Sequence, residues 1–294
     1  MGVRELTAAI EGVADLMVRR DEPLCAHLPL RVGGPADLWV EVGSIEALQE
    51  FTKQARSTQT RWRLHWPFAD WLVRDGGLTG AVVRLSGEFE RIDMDDQWIT
   101  LGAAALWSGL PTSLVGGLWD AVRTWPGSVG ALLHGPQAAE LAELIGVIRV
   151  LRGGRIVEIA WPEDGGAPSI GETTIVTSVT LRRASASRRW LNAPPAPGTL
   201  FADVDHGVVA NELQRAGVLG TRLRSWRLSR VEPGTVVHLG AGTFSDLSLL
   251  IKGVKVRVEK TRGVTLEPRI PILGTNQKSS HRSLATAQPL RDPS

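Results

Sequence analysis

The stretch Leu30-Arg31-Val32-Gly33-Gly34-Pro35-Ala36-Asp37-Leu38 runs from a glycine pair and a proline straight into apolar and branched residues. Glycine and proline punctuate a turn, and residues 37–42 then read as a strand. Ser44 follows as a helix cap, with Ile45, Leu48 and Phe51 on one side of the helix it starts. A strand-then-helix unit therefore opens the fold. Two further phrases carry the same glycine-rich character: Leu72-Val73-Arg74-Asp75-Gly76-Gly77 and Pro126-Gly127-Ser128-Val129-Gly130-Ala131.

Outward from these phrases, residues 81–85, 98–101, 145–151, 156–159 and 176–181 read as strands. The turn Arg152-Gly153-Gly154-Arg155 joins the third of these to the fourth. Proline-rich Ala193-Pro194-Pro195-Ala196-Pro197 interrupts regular structure and marks a boundary. Beyond it a smaller α+β unit is expected, with a helix over 208–216 ending at Gly217 and a strand over 235–239. A long helix follows over 244–262, with Ser245 near its start and Gly263 past its end. No internal repeat is found, and the polar residues from Thr275 onward predict a loose tail.

In this order and at this spacing the phrases resemble the MurB family, the UDP-N-acetylenolpyruvoylglucosamine reductases, over residues 28–274. Gly198-Thr199-Leu200-Phe201 stands where the family has Gly-Ser-x-Phe, and Leu266-Glu267-Pro268-Arg269-Ile270 where it closes with Leu-Glu-Pro-Glu-Val. The resemblance implies an α+β fold: a two-lobed FAD-binding domain of the vanillyl-alcohol-oxidase (PCMH) type, then a smaller α+β substrate domain. Residues 1–20 would be an N-terminal extension, 21–185 the FAD-binding-type domain, 198–274 the substrate domain and 275–294 a flexible tail. The implied activity is that of peptidoglycan synthesis, in which NADPH reduces FAD and the flavin reduces the enolpyruvyl group of a UDP-sugar.

Such a reaction asks for a small-residue backbone cradle around the FAD pyrophosphate, a proton donor, and groups that stabilise charge on the substrate. The resemblance places Pro126, Gly127, Ser128, Val129 and Gly130 in the cofactor loop, Thr199 at the proton-donating serine, and Glu267 near the reactive glutamate. Several positions depart from the pattern. Trp66-Pro67-Phe68-Ala69-Asp70 replaces Gly-Gly-Gly-Ser-Asn, which suggests that Trp66, Phe68 and Trp71 plug the cofactor slot. The second loop is shortened to Leu132-Leu133-His134-Gly135-Pro136-Gln137, where His134 reads as surface polar. No tyrosine or arginine lies between Glu158 and Thr174, Arg269 occupies the reactive glutamate's position, and Glu232-Pro233-Gly234-Thr235 replaces His-Ala-Asn-Phe. Two readings follow: a MurB-like reductase using FAD and NADPH, or a catalytically inactive MurB-fold protein with no cofactor. The second would bind a UDP-N-acetylglucosamine-type nucleotide sugar or a cell-wall synthesis protein.

Composition narrows the remaining classes. At 294 residues and 43% hydrophobic content the chain can bury two cores. It has no apolar run of membrane-spanning length and no secretory core in its first twenty residues, so a cytoplasmic protein is expected. One cysteine, Cys25, excludes an internal disulfide, and the absence of tyrosine removes that residue as a catalytic acid. No metal site is expected, because Asp203, Asp205 and His206 sit in a turn that favours local hydrogen bonding. Net charge is only +2, yet basic residues gather late, between Arg182 and Arg262. Few aromatic residues interleave with them, so nucleic acid ranks last among partners.

Overall fold

The opening unit forms as its residues direct. In the computed structural model, which describes residues 2–67, 71–134, 136–161, 174–183, 195–203 and 209–276, the first lobe comprises α1 (Gly2–Ile10), β1 (Leu16–Pro23), β2 (Pro35–Val42), α2 (Ile45–Ser57), β3 (Trp62–His65), β4 (Leu72–Val73) and β5 (Leu78–Leu85). Its sheet runs β1-β2-β5-β3, with β1 antiparallel to β2 and β5 parallel to both of its neighbours. The Ser44 hydroxyl accepts the Ala47 N–H at 3.3 Å, capping α2 and sending Leu48 and Phe51 into the core.

The first twenty residues do not form an extension. Leu6 and Ile10 are fully buried, and Arg20 pairs opposite Leu38 within β1. No residue of β1 is fully buried, because it is an edge strand, and that blunts the alternation by which a strand is recognised.

The second lobe contains β6 (Ile92–Met94), β7 (Trp98–Gly102), α3 (Gly117–Arg123), α4 (Val129–Leu133), β8 (Ile145–Arg152), β9 (Arg155–Ala160) and β10 (Ile175–Arg182). Its sheet is antiparallel throughout, in the order β6-β7-β10-β8-β9. One hydrophobic core spans both lobes, joining Val40 and Phe51 of the first to Ile99, Ile148 and Val179 of the second.

The third unit holds α5 (Val209–Arg215), the antiparallel trio β11 (Arg222–Leu223), β12 (Trp226–Leu228) and β13 (Val236–His238), then α6 (Phe244–Arg262) and β14 (Ile272–Leu273). The long helix has the bounds the sequence predicts, but Thr243 rather than Ser245 caps it, accepting the Asp246 N–H at 3.1 Å. Its own core gathers Leu213, Trp226, Leu247 and Val258, and takes in Leu30, Val32 and Leu72 from the first lobe. Among the described residues no helix is long and apolar enough to cross a membrane.

The units interlock through backbone. β14 pairs in parallel with β4, Ile272 opposite Leu72 and Leu273 opposite Val73. Thr275, expected to begin a loose tail, accepts the Gly76 N–H at 2.9 Å and donates its own to Gly77 at 3.2 Å. The rest of that tail, from residue 277, lies outside the described residues, as do residues 193–194 of the proline-rich boundary. A side chain at Gly34 would collide with the Asp75 carbonyl, and one at Gly77 with the Pro35 carbonyl, so both positions require glycine. The Asp75 carboxylate reaches across to accept the Phe244 N–H at 2.8 Å and the Ser245 N–H at 3.0 Å, satisfying donors in the first turn of α6.

Replacing Asp75 with alanine is expected to lower stability by about 1 kcal/mol, the usual cost of a lost helix cap. Amide exchange should rise first at Phe244 and Ser245. Unchanged exchange there would remove the clasp from the structure's essential contacts.

Candidate functional site

The site expected from the sequence lies where the loop after β3 meets the loop that starts α4. Strand alternation sends the consecutive residues His65 and Trp66 to opposite faces. Trp66 enters the shared core of the lobes at 9% exposure. Its six-membered ring lies directly on Gly130, where any side chain would collide with it and would also stand 2.9 Å from the Ala103 carbonyl. The imidazole of His134 is 5.4 Å from the Trp66 ring and bonds the Gly130 carbonyl through Nδ1 at 2.7 Å. Of the expected aromatic plug, Trp66 is thus packed inside, Trp71 is half-buried against His65, and Phe68 lies outside the described residues.

The loop of Pro126, Gly127, Ser128, Val129 and Gly130 leads into α4, and its donors face inward. The Val129 N–H bonds the Ala105 carbonyl at 3.0 Å, and the Gly130 N–H bonds the Ala103 carbonyl at 2.7 Å. The Ser128 hydroxyl caps the helix by accepting the Ala131 N–H at 3.4 Å. The Val129, Gly130 and Ala131 N–H groups are therefore engaged within the protein.

On the opposite face His65 is buried at 3% exposure, with neither ring nitrogen hydrogen-bonded among the described residues. Its ring lies 5.5 Å from that of Trp39 and 5.3 Å from that of Trp71, while His27 stacks on Trp39 at 3.9 Å. His27 in turn bonds Glu22 at 2.8 Å, and this bond is the main reason the Glu22 carboxyl is held below the usual carboxylate range. Burial pushes the His65 pKa from 6.5 down to about 3, helped by the nearby His27 and Arg84. Sequence reasoning missed this histidine; its one signal was the unusual run of Trp62, His65, Trp66 and Trp71.

The third unit assembles a different group. Thr199 donates its hydroxyl proton to the Ala196 carbonyl at 2.8 Å and lies 3.2 Å from the Thr235 hydroxyl. The Arg269 Nε donates to the Thr199 carbonyl at 3.0 Å. Glu267 is exposed and pairs opposite Ala202, whose N–H its carbonyl accepts at 3.0 Å. That position is three residues past Thr199, about 10 Å along an extended chain. The fold thus brings Thr199 beside Arg269 and Thr235, and sets Glu267 apart. Asp203 caps α5 by accepting the Val209 N–H at 3.0 Å, while Asp205 and His206 lie outside the described residues.

Known proteins resemble this chain over most of its length. UDP-N-acetylenolpyruvoylglucosamine reductase 2 of Symbiobacterium thermophilum is 29% identical over 287 residues, covering 88% of this chain and 93% of that protein. The Rubrobacter xylanophilus reductase of that name is 27% identical, covering 86% of this chain and 94% of its own length. The crystal structure of MurB from Thermus caldophilus superposes with a TM-score of 0.66 at 22% identity, covering 88% of this chain and all of that one. Over most of its length the chain resembles the MurB reductases. No family model matches it. The superposition gives it the two-lobed α+β fold of MurB followed by the third unit.

Two expectations follow from this geometry. Between pH 6.5 and about 3 the unfolded chain carries a proton on residue 65 that the folded chain does not. Stability should therefore fall as pH drops below 6.5, with this group alone contributing up to about 1.4 kcal/mol per pH unit. His65→Leu should flatten that slope in urea melts between pH 7 and pH 4.5, and an unchanged slope would assign the acid limb elsewhere. Gly130→Ala should cost about 1–3 kcal/mol by forcing out Trp66. In a Trp66→Ala background, itself about 3–5 kcal/mol less stable, the Gly130→Ala change should cost clearly less, with only the approach to the Ala103 carbonyl left. Additive losses would disprove the contact.

Proposed function

We propose that this MurB-like chain acts by binding and not by flavin chemistry, holding a UDP-sugar or a protein of cell-wall synthesis on the MurB scaffold. The observation that carries this reading is the Trp66 ring packed on Gly130, in the loop pair that the family resemblance assigns to FAD. An isoalloxazine or pyrophosphate placed there would have to displace a side chain that is 9% exposed and part of the main core. Pro67 adds no N–H, and the Val129 and Gly130 donors already have acceptors. The residues present do not fit FAD.

The remaining machinery supports the same reading. Thr199 commits its proton to the Ala196 carbonyl, and the Arg269 guanidinium holds the Thr199 carbonyl where the resemblance would put a reactive carboxylate. Loss of cradle, substrate arginine and terminal glutamate removes three kinds of stabilisation, each typically contributing about 10² or more in rate. Binding demands less, since affinity does not require groups aimed at a transition state.

The test is an absorbance spectrum of the purified protein after incubation with FAD and removal of free ligand, beside calorimetry with UDP-N-acetylglucosamine. The expected result is no retained flavin, and nucleotide-sugar binding that is indifferent to FAD. A flavin band near one per chain would overturn this proposal and return the MurB reductase reading, with NADPH as its hydride source.

A further inference from the structure

The outer face of α6 is unlike an ordinary solvated helix surface. The inner face is spent on the third unit's core through Phe244, Leu247, Leu250, Val254 and Val258. On the outside, Leu249 is 56% exposed and Val256 54% exposed. Spacings of four, three and four residues place Leu249, Gly253, Val256 and Lys260 in one stripe along the helix. Nothing lies within 4 Å of where a Gly253 side chain would begin, so a second backbone can approach closely at the stripe's centre. Around it stand Lys252, Lys255 and Arg257, and together with Lys260 none of these forms an ion pair among the described residues. Glu259 is the one carboxylate on this outer surface of the helix.

We propose that this face is a docking surface for an acidic amphipathic helix of a partner protein. The partner's apolar side chains would pack on Leu249, Gly253 and Val256, and its carboxylates would meet Lys252, Lys255, Arg257 and Lys260. Charge complementarity selects an acidic partner. The narrowness of the apolar stripe, two aliphatic side chains and no aromatic, selects a helix over a lipid surface, where tryptophan, phenylalanine and a broad apolar face are needed. The helix remains rigid during docking, since Asp75 and Thr243 hold its first turn and Gly263 closes its end. So small a patch implies a weak, transient complex with strong dependence on ionic strength. The proposal stands whether or not the chain binds flavin.

The test uses the full chain and a fluorescein-labelled peptide of about three heptads, with leucine at the core positions and glutamate on both flanks. Fluorescence anisotropy should show saturable binding that weakens at least tenfold between about 50 and about 300 mM salt. A scrambled peptide of equal charge should bind at least tenfold more weakly. Val256→Asp and the pair Lys252→Glu with Lys260→Glu should each weaken binding at least tenfold with the far-UV circular dichroism unchanged and Tm lowered by no more than about 5 °C, the charge reversal at the end of the helix being the main cost. Equal binding of the scrambled peptide, or binding untouched by both variants, would overturn the proposal. So would preferential binding to phosphatidylserine-containing vesicles that the peptide fails to displace.

Discussion

Backbone packed against backbone within the first lobe and at its seam with the third unit is the constraint on which this molecule is built. Gly34 lies on the carbonyl of Asp75, Gly77 on that of Pro35, and Gly274 on that of Gly77, leaving no room for a side chain at any of them. The Gly34 N–H bonds the Arg74 carbonyl, and β14 continues the hydrogen bonding at Leu72 and Val73. Asp75 then fixes the start of α6. Two of the glycine-rich phrases by which the chain resembles MurB are thus explained by chain packing alone, with no reference to a ligand.

This separates the framework from the chemistry. The phrases at 30–38 and 72–77 serve the seam, and they are present in full. The loops that the resemblance assigns to a flavin are the others, and in the first of them this chain carries Trp66 where the family has glycine. Trp66 fills the space above Gly130 and joins a core continuous across both lobes. Burying an indole of this size supplies a large apolar contact area, so the interior between the lobes is filled at this point. His65 shows the cost of the same aromatic filling: its two nitrogens lie without partners among the described residues, beside two tryptophans, which is tolerable only while the ring is neutral.

Much of the fold was legible in the chain because its signals are local. The cap at Ser44, the Gly153-Gly154 turn, the bounds of α6 and the alternating strands of the second lobe all depend on residues near one another in sequence. The elements that escaped notice are those whose burial comes from elsewhere. In β1 the outward Arg19, Arg20 and Asp21 disguise a strand, and α1 is too short to announce itself before it meets α2. α4 covers five residues and takes its stability from Ala103 and Ala105 of another segment.

The candidate site divides along the same line. Sequence alone determined which residue types stand at each expected position: tryptophan for glycine at the cradle, threonine for serine, arginine for glutamate. It also determined that no tyrosine was available. Only the tertiary structure decided where those side chains go. The Trp66 ring meets Gly130 across 63 residues of intervening sequence. Thr199 is joined to Arg269, and not to Glu267, because the extended segments pair Leu200 with Arg269 and Ala202 with Glu267. Residue identity is written in one dimension, but the pairing register and the filling of a shared core depend on contacts between distant segments, and these exist only once the chain has closed on itself.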